Sequence, residues 1–132
     1  MTNFYLATVY LSQEKLDTAQ TIRSEFIEYF DDNPKLAHAT VVEQMKLHAQ
    51  LLLNRNEYVA AEQLLRLAAK LLVLHRIRSP TIVGSVRSSL GAALAGQSRL
   101  DEAERELLAG YKELNRLDGS HGEPSVDEVT LA

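Results

Sequence analysis

The chain of 132 residues has no cysteine and no tryptophan, three prolines, and only 6% aromatic residues. Without thiols, no disulfide framework, thiolate metal site or thiol nucleophile is available, and a reducing compartment is permitted. The most apolar stretch, Leu64 to Leu74, is broken by Arg66 and Lys70. It falls short of the ~20 apolar residues that a membrane span needs. Met1 leads into Thr2 and Asn3, without the basic start and apolar run of a secretory leader. A soluble, cytoplasmic protein with no membrane association is expected. There is also no excess of basic charge, since the formal net charge is −4. Duplex affinity comes from clustered Lys and Arg on phosphates, so a nucleic-acid partner is not expected. The local basic stretch of Arg66, Lys70, Arg76, Arg78 and Arg87 reads as a solvated helix face beside a loop.

A catalytic constellation is missing as well. His38, His48, His75 and His121 are too dispersed for a zinc spacing. His48 lies on an apolar stripe and reads as a hydrogen-bonded core imidazole, while His75 lies near a helix end, where it can meet terminal carbonyls. Ser120 and His121 are adjacent in a turn, with no third group to orient them. Gly84, Gly91 and Gly96 lack the spacing and preceding strand of a phosphate-binding loop. Glu102, Glu104 and Glu106 open a helix, where acidic side chains meet its dipole favourably. No enzyme activity, metal or cofactor is expected.

What the chain does have is a phrase written three times. Leu16-Asp17-Thr18-Ala19-Gln20, Tyr58-Val59-Ala60-Ala61-Glu62 and Leu100-Asp101-Glu102-Ala103-Glu104 are each separated from the next by 42 positions. Nine residues upstream of each stands a small residue, Ala7, Ala49 or Gly91, and three beyond that Tyr10, Leu52 or Leu94. A fixed period in this range marks a supersecondary unit that buries its apolar face only by stacking on its neighbours. Within each unit the apolar spacing is helical: Met45, His48, Ala49 and Leu52 fall at i, i+3, i+4 and i+7, and Ala61, Leu64, Leu65, Ala68, Leu71 and Leu72 continue it. Short polar gaps, 12–15, 54–57 and 96–99, make the paired helices antiparallel hairpins. Asp31-Asp32-Asn33-Pro34, Arg78-Ser79-Pro80 and Gly119 to Pro124 close one hairpin and open the next.

Helices are expected near 3–13, 16–30, 36–54, 58–77, 81–96 and 100–117, with a further one possible after Pro124. Ala19, Ala61 and Ala103 let helix backbones come close. The helix from Tyr58, apolar on more than one stripe, reads as interior.

The spacing of Leu90-Gly91, Leu94, Leu100, Ala103 and Leu107 resembles the tetratricopeptide repeat family. The family period is about 34; the period of 42 here implies longer second helices, as in the variant found in kinesin light chains. The third unit, Ser89 to Tyr111, is similar to arrays that follow the kinase domain in some bacterial serine/threonine kinases. This chain itself has no Gly-rich loop, no His-Arg-Asp and no Asp-Phe-Gly. The resemblance implies an all-α, right-handed superhelix of three hairpins in one domain, 1–132, with repeats near 1–35, 36–79 and 80–120. Residues 121–132 would be a linker or the start of a further helix.

The function implied is a non-catalytic protein-interaction module, holding a peptide or partner helix in a concave groove lined by the first helices. The alternative is a regulatory or oligomerisation segment of a larger bacterial signalling protein. By helical phase the groove residues are Phe4, Thr8 and Leu11 in the first unit, Lys46, Gln50, Leu53 and Asn54 in the second, and Ser88 in the third. Phe4, Leu11 and Leu53 would receive an apolar side chain; Lys46, Gln50 and Asn54 would bond peptide groups. An uncovered apolar edge on the last repeat implies self-association.

Overall fold

The computed structural model of the chain describes residues 4–116. Glu14, Asn56 and Ser98 carry φ of 62°, 61° and 61°, so the left-handed backbone recurs at the sequence period. Each of these residues stops a helix in the same way. The N–H of Lys15, Glu57 and Arg99 reaches back five residues to the carbonyl of Tyr10, Leu52 and Leu94, at 2.9, 2.9 and 3.0 Å. This six-residue closure satisfies carbonyls that a helix end leaves bare. Lys15, Glu57 and Arg99 then open the next helix with φ near −90° and ψ of 71°, 69° and 72°, without a side-chain cap.

These turns join helices α1 (Phe4–Ser12) to α2 (Leu16–Asp32), α3 (Ala39–Asn54) to α4 (Tyr58–Leu74), and α5 (Pro80–Gly96) to α6 (Leu100–Asn115). The described residues are otherwise loop, apart from one 3-10 turn at Pro34–Leu36, and contain no strand. The chain is all-α. The connections are too short for anything but antiparallel neighbours. Serine at position 98 pays for a conformation that suits glycine, so Ser98→Gly should raise Tm by roughly 4 °C, the left-handed strain relieved outweighing glycine's added chain entropy. A thermal melt in which Tm falls would mean that serine is unstrained there.

One helix start and one helix end differ from the sequence reading by three residues, the other bounds by no more than two. The second hairpin begins at Ala39 rather than near 36, because Pro34 opens a 3-10 turn and Ala37 and His38 are then extended. The fourth helix stops at Leu74 rather than near 77: Arg76 has φ 53° and the Ile77 N–H closes on the Leu72 carbonyl at 2.9 Å. Ser79 caps α5, accepting from the Ile82 N–H at 3.4 Å, with Pro80 in the first turn as the sequence indicates. The possible helix after Pro124 lies outside the described residues.

The hairpins stack with their first helices in a row, α1 against α3 and α3 against α5. The helix from Tyr58 is interior: α4 touches α2, α3 and α5 and buries Leu64, Leu65, Leu67, Ala68, Leu71 and Leu72. Ala19, Ala61 and Ala103 are all buried. The two stacking steps are not alike, however. Backbones of α4 and α5 lie close, whereas α2 and α3 meet only through long side chains, since Arg23 of α2 reaches His48 of α3. A buried Arg–His pair bridges the step in which the backbones stand apart.

Polar ties link successive units at their turns. Arg55 forks onto Glu14 at 2.7 and 2.9 Å, and Lys70 meets Asp31 at 3.0 Å. Glu62 accepts from Gln97 at 2.9 Å, Arg99 at 2.9 Å and Arg66 at 2.7 Å. Burial alone would raise the Glu62 pKa, yet the bonds from Gln97, Arg66 and Arg99 outweigh it and hold the carboxyl below its usual value. His75 does meet a carbonyl, but across the stack: its Nε2 donates to the Pro34 oxygen at 3.0 Å rather than to its own helix end.

Candidate functional site

Across the row of first helices runs a groove of about 620 Å³. Tyr5 of α1, Leu47 of α3 and Ser89 of α5 all line it, and each is 42 positions from the next. Helical phase explains the coincidence, because equivalent positions of stacked units point the same way. Thr40, Glu43, Gln44, Lys46 and Gln50 extend the α3 wall, and Ser85 of α5, the counterpart of Glu43, faces it.

The apolar groups of the groove are half in water: Tyr5 is 51% and Leu47 47% exposed. Around them three of the polar side chains are already engaged within α3. Lys46 Nζ lies 3.5 Å from Glu43, and Gln50 donates to Asn54 Oδ1 at 3.2 Å. The groove therefore offers an apolar centre with hydroxyls, amides and a compensated ion pair around it. It carries no net charge to select an anion or a cation.

Of the residues expected to face a partner, Lys46 and Gln50 line the groove, and Asn54 is exposed one turn beyond. Leu53 is half-buried against the core instead. Phe4, Thr8 and Leu11 are corrected outright, with exposures of 2%, 7% and 2%. Phe4 packs its ring 4.1 Å from Phe26 and 4.9 Å from His48, so it faces the core. Ser88 is not a groove residue either. Its Oγ abuts Gly110 on α6, and the groove takes its neighbours Ser85 and Ser89. The residues that sequence reasoning missed, Tyr5, Leu47 and Ser89, had a signal of their own in their common spacing.

Thr8 serves an internal polar triad. His48, fully buried, has Nδ1 3.1 Å from Thr8 Oγ1 and Nε2 3.1 Å from Arg23, itself 7% exposed. A guanidinium only donates, so Nε2 must accept and the imidazole proton sits on Nδ1, directed at Thr8. Burial first, and the adjacent Arg23 charge second, depress the His48 pKa to about 4. Burial also lowers the Arg23 pKa. The imidazole is closed to solvent and so ties α1, α2 and α3 together rather than serving a substrate. Among the described residues no set of three His, Asp or Glu is placed to hold a metal, and no helix is long and apolar enough to cross a membrane.

Comparison with protein-family models, curated proteins and solved structures finds no match for the chain.

Proposed function

We propose that the chain is a tetratricopeptide-like array, a right-handed superhelix of three hairpins in the cytoplasm, acting as a non-catalytic module that binds an extended peptide from a protein partner in the first-helix groove. The observation that carries this reading is the line Tyr5, Leu47 and Ser89, equivalent positions of three units opening on one cleft. A stacked array presents such a continuous surface because every unit contributes the same face. The cleft volume falls in the ~300–1,000 Å³ range of binding pockets, enough for one or two side chains and the peptide groups between them. An apolar anchor would sit between Tyr5 and Leu47, while Gln44, Gln50, Ser85 and Ser89 bond the peptide backbone.

Random-peptide display on the intact chain tests this. Enriched peptides should share an apolar anchor and lose ~10-fold to 100-fold in affinity against Leu47→Glu, as expected from burying one leucine-sized group. They should bind Leu36→Glu normally, because Leu36 is an exposed leucine on the 3-10 turn, outside the groove. Peptides that bind Leu47→Glu as tightly as the unaltered chain, or no enrichment at all, would reject the groove.

A further inference from the structure

Where α4 hands over to α5, a second cleft of about 240 Å³ gathers Arg76, Arg78 and Arg87 around Val73, Ile77 and Val83. The composition is unusual for a neutral helix surface. Val73 is 75% exposed. Arg87 is held by Glu106 at 3.1 Å, whereas Arg76 and Arg78, both exposed, have no ion-pair partner among the described residues. Two uncommitted guanidiniums over an apolar floor fit carboxylates interleaved with aliphatic side chains. A planar fork takes a carboxylate through two parallel hydrogen bonds.

The chain itself carries such a segment. Residues 117–132 contain Asp118, Glu123, Asp127 and Glu128 but no Lys or Arg, and these carboxylates account for the whole formal net charge of −4. Residues 4–116 are therefore formally neutral, and Val126, Val129 and Leu131 flank the last acidic pair. The attachment point is close to the cleft. Leu114, near the end of α6, fills the space where Gly84 lacks a side chain, its Cγ 2.5 Å from the site a Cβ would take, and Gly84 adjoins Val83 of the cleft. From Arg116 to Asp127, extended chain spans up to about 35 Å, several helix diameters. A tether of this length keeps the segment at roughly millimolar effective concentration, so individually weak contacts suffice.

We propose that the acidic segment 118–132 docks in cis on the cleft of Arg76, Arg78 and Arg87, its carboxylates on the guanidiniums and its aliphatic side chains on Val73 and Ile77. This docking is independent of the first-helix groove. It gives the chain an occupant of its own at the junction of its second and third hairpins.

Because the chain has no cysteine, Ser125→Cys provides a single position for a nitroxide on the full-length protein. With the label oxidised, the amide signals of Val73, Ile77 and Val83 should fall below about half their intensity with the label reduced. Intensity should return in an Arg76→Glu, Arg78→Glu double variant and, separately, at about 1 M salt, where the screening length shrinks to ~3 Å. Full intensity at those amides with the oxidised label would overturn the proposal, as would broadening that survives both charge reversal and salt. Mixing isotope-labelled, nitroxide-free chains with unlabelled nitroxide chains separates the remaining possibility. Broadening in that mixture would place a second copy's segment in the cleft and overturn docking in cis.

Discussion

Unfolding free energy measured with urea should fall by about 3 kcal/mol between pH 6.5 and pH 4, and His48→Gln should abolish most of that fall. The cause is a proton that the folded state refuses. His48 titrates at about 4 in the fold against its ordinary 6.5, so on acidification the unfolded chain takes the proton first. The neutral imidazole's contribution is complete above about pH 6.5, declines as pH falls through the window and is gone below pH 4. Each unit of difference corresponds to 1.36 kcal/mol, which sets the size of the effect. The depressed carboxyls of Glu14 and Glu62 act lower down, because their ordinary value is 4.5 and their loss begins there. A glutamine at 48 keeps an oxygen for Arg23 and an amide donor for Thr8 but does not titrate.

Substitution with leucine separates the proton from the hydrogen bond. His48→Leu leaves the Arg23 guanidinium buried without its acceptor, a defect of ~3–5 kcal/mol. The Arg23→Leu, His48→Leu pair should recover most of it. The counterparts one period later, Leu65 and Leu90, are buried leucines that fill the same place without polar groups. The recovery would appear as a strong coupling between the two sites. A flat stability profile from pH 7 to pH 4, or an unchanged slope in His48→Gln, would show that the imidazole is not the group responsible.

The same triad marks the boundary of what the sequence made legible. The starts of α2, α4 and α6 are readable to the residue, because one left-handed turn sets each of them and recurs with the period. His48 is readable as a core histidine from its place on the apolar stripe. Its partners are not: Thr8 and Arg23 lie 40 and 25 positions away, and the only trace is an arginine where the period puts leucine. Moving the outward face of α3 back one period placed Phe4, Thr8 and Leu11 toward a partner. That transfer fails because Phe4 packs on Phe26 and His48 in the core, whereas Lys46 at the equivalent place pairs with Glu43 beside the groove. Repetition predicts where a helix begins and which way it faces, but the side chains filling each junction decide which of its places are covered. The groove was legible in part for the same reason. Lys46 and Gln50 follow from the phase of α3 alone, whereas Tyr5 follows from its equivalence to Leu47, a leucine whose place beside the groove the packing stripe does not announce.

Gly110→Val should lower Tm by on the order of 10 °C and speed amide exchange along α6 before the other helices. Among the described residues α6 rests on α5 alone, and that contact is built on missing side chains. Leu107 and Leu114 stand over Gly91 and Gly84, both pairs seven residues apart, so each leucine occupies the space of an absent Cβ. Gly110 faces the other way, and of the four described glycines it alone has two backbone atoms among its three nearest obstacles. A Cβ there would meet the Ser88 hydroxyl and come within 3.0 Å of both the Gly84 carbonyl oxygen and the Ser88 nitrogen. Two of those neighbours are backbone and cannot rotate aside. Alanine would regain about 1 kcal/mol of helix propensity against ~1–3 kcal/mol of overpacking. Valine adds two carbons and recovers less propensity, so the steric term prevails and the helices must separate. Gly91→Ala is the milder comparison, since its closest obstacle is the Leu107 side chain at 2.7 Å, which can move, although the Ala103 carbonyl stands at 3.2 Å. The expected order of Tm is therefore unaltered chain, Gly91→Ala, Gly110→Val. Equal melting of Gly110→Val and the unaltered chain would mean that α6 does not depend on close approach to α5.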